Sequence, residues 1–226
     1  NDLVDFVVRE FGRIPRRSAP VGKDITARVV PEDLSKFPVR SPVVAIMGHV
    51  DHGKTTLLDA LRGSDIAGAE FGGITQRMAA FSVKVPQTKS PITFIDTPGH
   101  AAFGKMRQRG ADVTDIAVLV VAADEGIQEQ TIQALEFIEE SGCPMVVCFT
   151  KCDKRGANAE KVRLQLNSRG IHMAKYGGDV NDVEVSALEG TGLEDLLELL
   201  VFTAEELGLN TDPTGPGEAE ILDVKK

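Results

Sequence analysis

From Val43 to Met47 (VVAIM) the chain is apolar and β-branched, with no polar position to mark a solvent face. Five comparable runs follow: Ala79 to Val85, Ile92 to Asp96, Ile116 to Ala123, Met145 to Thr150 and Val183 to Ala187. Runs of this length and composition are expected of strands, and those apolar throughout of strands covered on both faces. The segments between the later runs carry apolar residues at helical spacing instead, over Glu129 to Ser141, Glu160 to Arg169 and Leu193 to Leu207. In the last, Leu193, Leu196, Leu197, Leu200, Ala204 and Leu207 fall on one face. A further helix, Thr55 to Arg62, is expected after the first run, stopped by Gly63. Strands alternating with helices predict an α/β fold, a mostly parallel six-stranded sheet with helices on both faces. The link VPQTKSP between the second and third strands is short enough for a hairpin, so one edge strand is expected to be antiparallel.

The flanks have a different texture. Leu3, Val4, Val7, Val8 and Phe11 stand at helical spacing before Gly12, and a proline-containing linker runs from Arg13 to Pro42. Arg9, Arg13, Arg16 and Arg17 form a basic cluster that suits RNA phosphates or a solvated linker equally well. The expected organisation is a flank over 1–40, one domain over 41–209, and over 210–226 a linker entering a following β domain. The chain opens at Asn1 without a methionine and closes on Lys225 and Lys226 after an apolar run beginning at Ile221, so it is expected to be a piece of a longer protein.

Composition narrows the function. At 226 residues and 42% hydrophobic content there is material for one full domain. A net charge of −9 excludes a uniformly basic nucleic-acid binder. No apolar run is long enough to span a membrane. Cys143, Cys148 and Cys152 make no disulfide framework and suit a reducing compartment. Cys148 and Cys152 lack a second pair for a metal site.

GHVDHGKTT, from Gly48 to Thr56, raises two readings. His49, Asp51 and His52 are zinc-ligand types, while Gly48-x-x-x-x-Gly53-Lys54-Thr55 is the frame of a phosphate-binding loop. Position favours the second, since the frame follows an expected strand and opens an expected helix. In such a loop glycines let successive N–H groups face phosphate oxygens, and the helix N-terminus adds partial positive charge. Lys54 is placed to reach the terminal phosphates and Thr55 to ligate Mg²⁺, which prefers hard oxygen donors. Downstream, Asp96 in DTPGH ends a strand, where it can hold Mg²⁺ through water, and Gly99 can offer its N–H to a γ-phosphate. Thr75 in GGIT can add a hydroxyl to the metal when that phosphate is present. TKCD (Thr150 to Asp153) and SAL (Ser186, Ala187, Leu188) close the fifth and sixth strands, where ligands of such sheets sit. The Asp153 carboxylate can accept from the N1–H and 2-amino group of guanine, which adenine cannot match. The substrate expected is GTP.

With these residues the chain resembles the translational GTPases, and among them the G domain of the initiation-factor-two family, over about Ser41 to Leu209. GHVDHGKT, GGITQ, DTPGHAAF, RGADVTDIAVLVVAADEG, KCDK, YGGDV and VSAL carry the resemblance. It implies a P-loop GTPase fold and GTP hydrolysis on the ribosome at initiation and subunit joining, with initiator tRNA held by domains outside this chain. Carried over residue by residue, it places Gly48, Val50, Asp51, His52, Gly53, Lys54, Thr55, Thr56, Gly99, Thr150, Lys151, Asp153, Ser186, Ala187 and Leu188 around GTP or GDP. Thr55, Thr75 and Asp96 would serve Mg²⁺, and Asp51 a monovalent cation, K⁺ or Na⁺. Val50 and Ile74 would gate His100, the expected catalytic residue, which orients the attacking water. The family has asparagine where this chain has Thr150; losing that amide's tie to the phosphate loop is expected to cost about 1–3 kcal/mol. A G domain that holds nucleotide and docks on ribosomal particles with little turnover is the rival reading. KCDK and DPTGP resemble the mitochondrial form, giving the mitochondrial matrix as the expected location, with a bacterial cytoplasm the alternative.

Overall fold

The computed structural model describes residues 37–63, 79–85, 91–96 and 114–211. Strands β1 (Val43–Gly48), β2 (Ala79–Val83), β3 (Ile92–Asp96), β4 (Ile116–Ala122), β5 (Met145–Thr150) and β6 (Asn181–Glu184) form one sheet in the order β2-β3-β1-β4-β5-β6. All neighbours are parallel except β2 and β3, which pair antiparallel with Phe81 opposite Phe94. Helices α1 (Lys54–Arg62), α2 (Glu129–Ser141), α3 (Ala159–Asn167) and α4 (Leu193–Leu207) cover it. The expected architecture is the one observed.

Strand alternation decides which core each side chain joins. On one face Val44, Ile46, Val118, Val120 and Cys148 pack with Leu57 of α1 and Leu196 and Leu200 of α4. On the other Ala45, Met47, Leu119, Val121, Val147 and Phe149 pack with Leu135 and Ile138 of α2 and Val162 and Leu166 of α3. Central β4 is buried at every position, so it reads as a continuous apolar run. Edge strand β2 exposes Ala80 and Ser82.

Several boundaries depart from expectation: β1 runs on to Gly48, β2 ends at Val83 rather than Val85, β4 at Ala122 rather than Ala123, and α3 at Asn167 rather than Arg169. The last strand is Asn181–Glu184, not Val183 to Ala187. Polar Asn181 and Asp182 join the ladder opposite Val146 and Val147, with Asp182 held by Arg163, whose Nη2 donates at 2.6 Å. At the other end Ser186 leaves the sheet to exchange backbone bonds with Thr191. Helix α1 starts at Lys54, and α3 runs from Ala159, because the Asn158 side chain caps it by accepting from Lys161 N–H at 2.9 Å. On α4, Leu207 is 38% exposed and Thr203 takes a buried place beside Leu200.

Around the sheet, Val39 bridges Asn210, and the Arg40 guanidinium grips the Asp115 carboxylate that also accepts from Val43 N–H. The Asp2 to Gly12 segment, the basic cluster and 212–226 lie outside the described residues. Among those described, no helix is long and apolar enough to cross a membrane.

Candidate nucleotide-binding site

The loop after β1 is shaped by close approach to β4. Gly48 has φ +137°, and a Cβ there would meet the Val120 carbonyl oxygen at 2.3 Å, so only glycine lets the chain turn at this spot. A short 3₁₀ turn, Val50–His52, follows, and Gly53 at φ +79° redirects the backbone into α1. No side chain caps α1. Its first N–H groups, at Lys54, Thr55 and Thr56, therefore lie at an uncapped helix N-terminus, the setting in which anions bind. Lys54 is buried, and its ammonium donates to the carbonyls of Gly48 at 3.0 Å and His49 at 2.7 Å. The loop is wound around that charge.

His52 turns inward. Its ring is fully buried, with Nδ1 3.3 Å from the Val120 carbonyl oxygen and the His49 ring edge-on at 4.9 Å. Burial pushes its pKa down to about 4, so it is neutral at ordinary pH. The ring anchors the loop to the sheet. Asp51 instead is exposed on the loop, 3.8 Å from His49 Nε2. Among the described residues no group of three or more histidine, cysteine or carboxylate side chains converges as a metal site. Cys148 is buried, with its thiol pushed up by burial, and the Cys152 thiol donates to the Phe149 carbonyl at 3.3 Å.

The second half of the site follows β5. Thr150 is buried, and its hydroxyl donates to the His52 carbonyl at 2.6 Å. This corrects the expectation from sequence: the tie that asparagine would supply is made by the threonine hydroxyl. Lys151 then takes φ +57°, a left-handed turn that is costly outside glycine. Ser186 Oγ donates to Asp153 Oδ1 at 2.6 Å and accepts from Glu189 N–H at 3.2 Å. Gly53, Thr56, Thr150, Lys151, Asp153, Lys154, Ala187 and Leu188 enclose a cavity of about 150 Å³. A larger cavity of about 490 Å³ lies among Gly142, Met145, Asn181 and Leu207, at the opposite ends of β5 and β6. Ligands of open α/β sheets sit beyond the carboxyl ends of the strands, so the smaller cavity is the candidate.

Three residues that sequence reasoning passed over brace both halves. Glu125 accepts from Lys151 Nζ and Asp124 from Lys154 Nζ, each at 2.8 Å. The Lys151 bond lowers the Glu125 pKa. Gln130, in the first turn of α2, accepts from Val50 N–H at 3.0 Å. The available signal was a polar run, ADEGIQEQ, directly after a fully buried strand and at the same end of the sheet.

For Mg²⁺, Asp96 is buried at the end of β3, paired in register with Ile46 two positions before Gly48. Asp96 and Thr55, at the start of α1, both offer oxygen atoms, the donor type that a hard cation prefers. Thr75, Gly99 and His100 lie outside the described residues.

The profile of the elongation factor Tu GTP binding domain matches residues 39–206. Translation initiation factor IF-2 of Gluconacetobacter diazotrophicus is 49% identical over 99% of this chain and 25% of its own length. That of Sphingopyxis alaskensis is 46% identical over 99% of this chain and 26% of its own. The chain thus spans about a quarter of the length of these relatives. A bacterial selenocysteine-specific elongation factor superposes with TM-score 0.64 at 29% identity, over 74% of this chain and 29% of that one. GDP-bound aIF5B from Aeropyrum pernix superposes with TM-score 0.57 at 30% identity, over 75% of this chain and 36% of that one. The chain belongs to the elongation factor Tu GTP-binding domain family.

Proposed function

We propose that this chain binds GTP and GDP with Mg²⁺ and hydrolyses GTP, as the G domain of a translation initiation factor working on the ribosome at initiation and subunit joining. The observation that carries the reading is the joining of two ligand-shaped elements. The uncapped, lysine-filled loop meets the Asp153 pocket through the Thr150–His52 bond, so one molecule can lay phosphates in the first and a base in the second. Lys54 would exchange its carbonyl bonds for phosphate oxygens. Asp153, steadied by Ser186, would accept from the guanine edge while Lys151 flanks the base. Thr55, Asp96 and Thr75 would hold Mg²⁺, which neutralises charge on the β- and γ-phosphates when bound. Gly99 would sense the γ-phosphate and His100 would orient the attacking water. Asp51 on the loop rim is the proposed contact for K⁺ or Na⁺.

The rival reading, a docking module with little turnover, drew on Thr150 in place of asparagine, and the hydroxyl bond removes that support. The relatives named above are bacterial, which favours a bacterial cytoplasm, while the mitochondrial reading stands on KCDK and DPTGP. GTP turnover by the full-length protein, with and without ribosomal subunits, tests the proposal. Stimulation by ribosomes is expected, and turnover that ribosomes leave unchanged would return the docking-module reading.

A further inference from the structure

One peptide unit in the phosphate loop, between His49 and Val50, is held from both sides. Its carbonyl accepts from Lys54 Nζ at 2.7 Å and from His52 N–H at 3.3 Å. Its N–H donates to Gln130 Oε1 at 3.0 Å, across 80 positions of sequence. We propose that Gln130 is a positioning residue for nucleotide binding, acting from α2 to fix the plane of this peptide. The inference rests on the reading of the loop as a phosphate site.

The physical case turns on what happens when Lys54 is recruited. A triphosphate or diphosphate draws the ammonium outward, and the His49 carbonyl then loses its shorter bond. What remains on that side is the 3.3 Å bond from His52, which is long for an N–H···O contact. A peptide plane with one weak restraint can rotate, and rotation would turn a carbonyl dipole toward the phosphates, where N–H groups are needed. The Gln130 bond does not involve Lys54 and so persists through the exchange.

Gln130 is built to serve as a fixed post. Gln128 N–H donates to Thr131 Oγ1 at 3.2 Å, locking the first turn of α2, and Thr131 is fully buried. Just before it, Ile127 N–H donates to Gln165 Oε1 on α3 at 3.3 Å. Ala134, Leu135 and Ile138 seat the helix on the sheet. A side chain leaving this turn reaches the loop from a base that cannot shift with it.

The test compares the full-length protein with Gln130→Leu, which removes the acceptor, and Gln130→Glu, which keeps an acceptor oxygen at the same reach. Hydrogen exchange at the Val50 amide, measured without nucleotide, should be faster by about tenfold in the leucine variant and near parental in the glutamate variant. Release of a fluorescent GDP analogue should be about three- to tenfold faster in the leucine variant, with the thermal midpoint held within a few degrees. Val50 exchange and GDP release both unchanged in Gln130→Leu would overturn the proposal. So would equal loss of Val50 protection in both variants, since that would make the effect one of helix packing. If the parent binds no guanine nucleotide, the phosphate-site reading fails, and Val50 exchange still reports separately whether Gln130 holds the peptide.

Discussion

The Thr150 hydroxyl donates to the His52 carbonyl at 2.6 Å, and both residues are buried. This contact links the end of β5 to the phosphate loop across the end of β4, which lies between β5 and β1. Thr150→Val keeps the shape and strands a buried acceptor, a loss of about 1–3 kcal/mol. GDP release should quicken by about tenfold in that variant. Thr150→Asn should stay within about threefold of the parent, because the bond it would supply already exists. Stopped-flow dissociation of labelled GDP distinguishes the two; a valine variant that releases GDP at the parental rate would show the loop is held elsewhere.

Asp153 lines the cavity after β5 with Ser186 bonded to one of its oxygens. Asp153→Asn replaces an acceptor by a donor, so preference should move from guanine to xanthine nucleotides, whose 2-oxo group accepts. Titration calorimetry with GDP, XDP and ADP reads this directly, and equal affinity of the parent for ADP and GDP would remove Asp153 from base selection.

His52 gives the fold a pH dependence with a definite sign. Burial lowers its folded pKa to about 4, so the folded state resists protonation that the unfolded chain accepts near its ordinary value of about 6.5. The stability this neutral ring supports is complete above about pH 6.5 and is lost as pH falls toward 4. Between pH 7 and pH 5 the loss is about 2 kcal/mol. Urea unfolding at both values should show a shallower pH dependence in His52→Gln by about that amount.

Gly48→Ala brings a methyl against the Val120 carbonyl at a backbone angle that side chains rarely adopt. The expected cost is about 3 kcal/mol, read as a lower urea midpoint, with nucleotide binding weakened in parallel.

His100, expected from DTPGH to orient the attacking water, should be separable from binding. His100→Ala should bind GTP nearly as the parent does while losing ribosome-stimulated hydrolysis by about 100-fold or more. Single-turnover phosphate release on ribosomes measures it; an alanine variant as fast as the parent would leave His100 without a catalytic role.

Most of this fold is local in origin. The apolar runs of β3 and β5 begin and end where their residues say they should, and β1 begins there, since a strand buried on both faces needs continuous hydrophobicity that the sequence displays. The glycine frame from Gly48 to Gly53 and the Gly63 stop are equally local, because positive φ is a property of one residue. Other features depended on partners far along the chain. Asn181 and Asp182 enter β6 despite their polarity because β5 offers a ladder and Arg163 offers a counter-charge. The inward turn of the His52 ring depends on Val120, the Thr150 hydroxyl finds its acceptor 98 positions away, and Gln130 finds Val50 from 80. Each is a single side chain meeting a single backbone group, with no repeat to announce it. Only the strand order, which sets β4 between β1 and β5, brings those groups within hydrogen-bond reach.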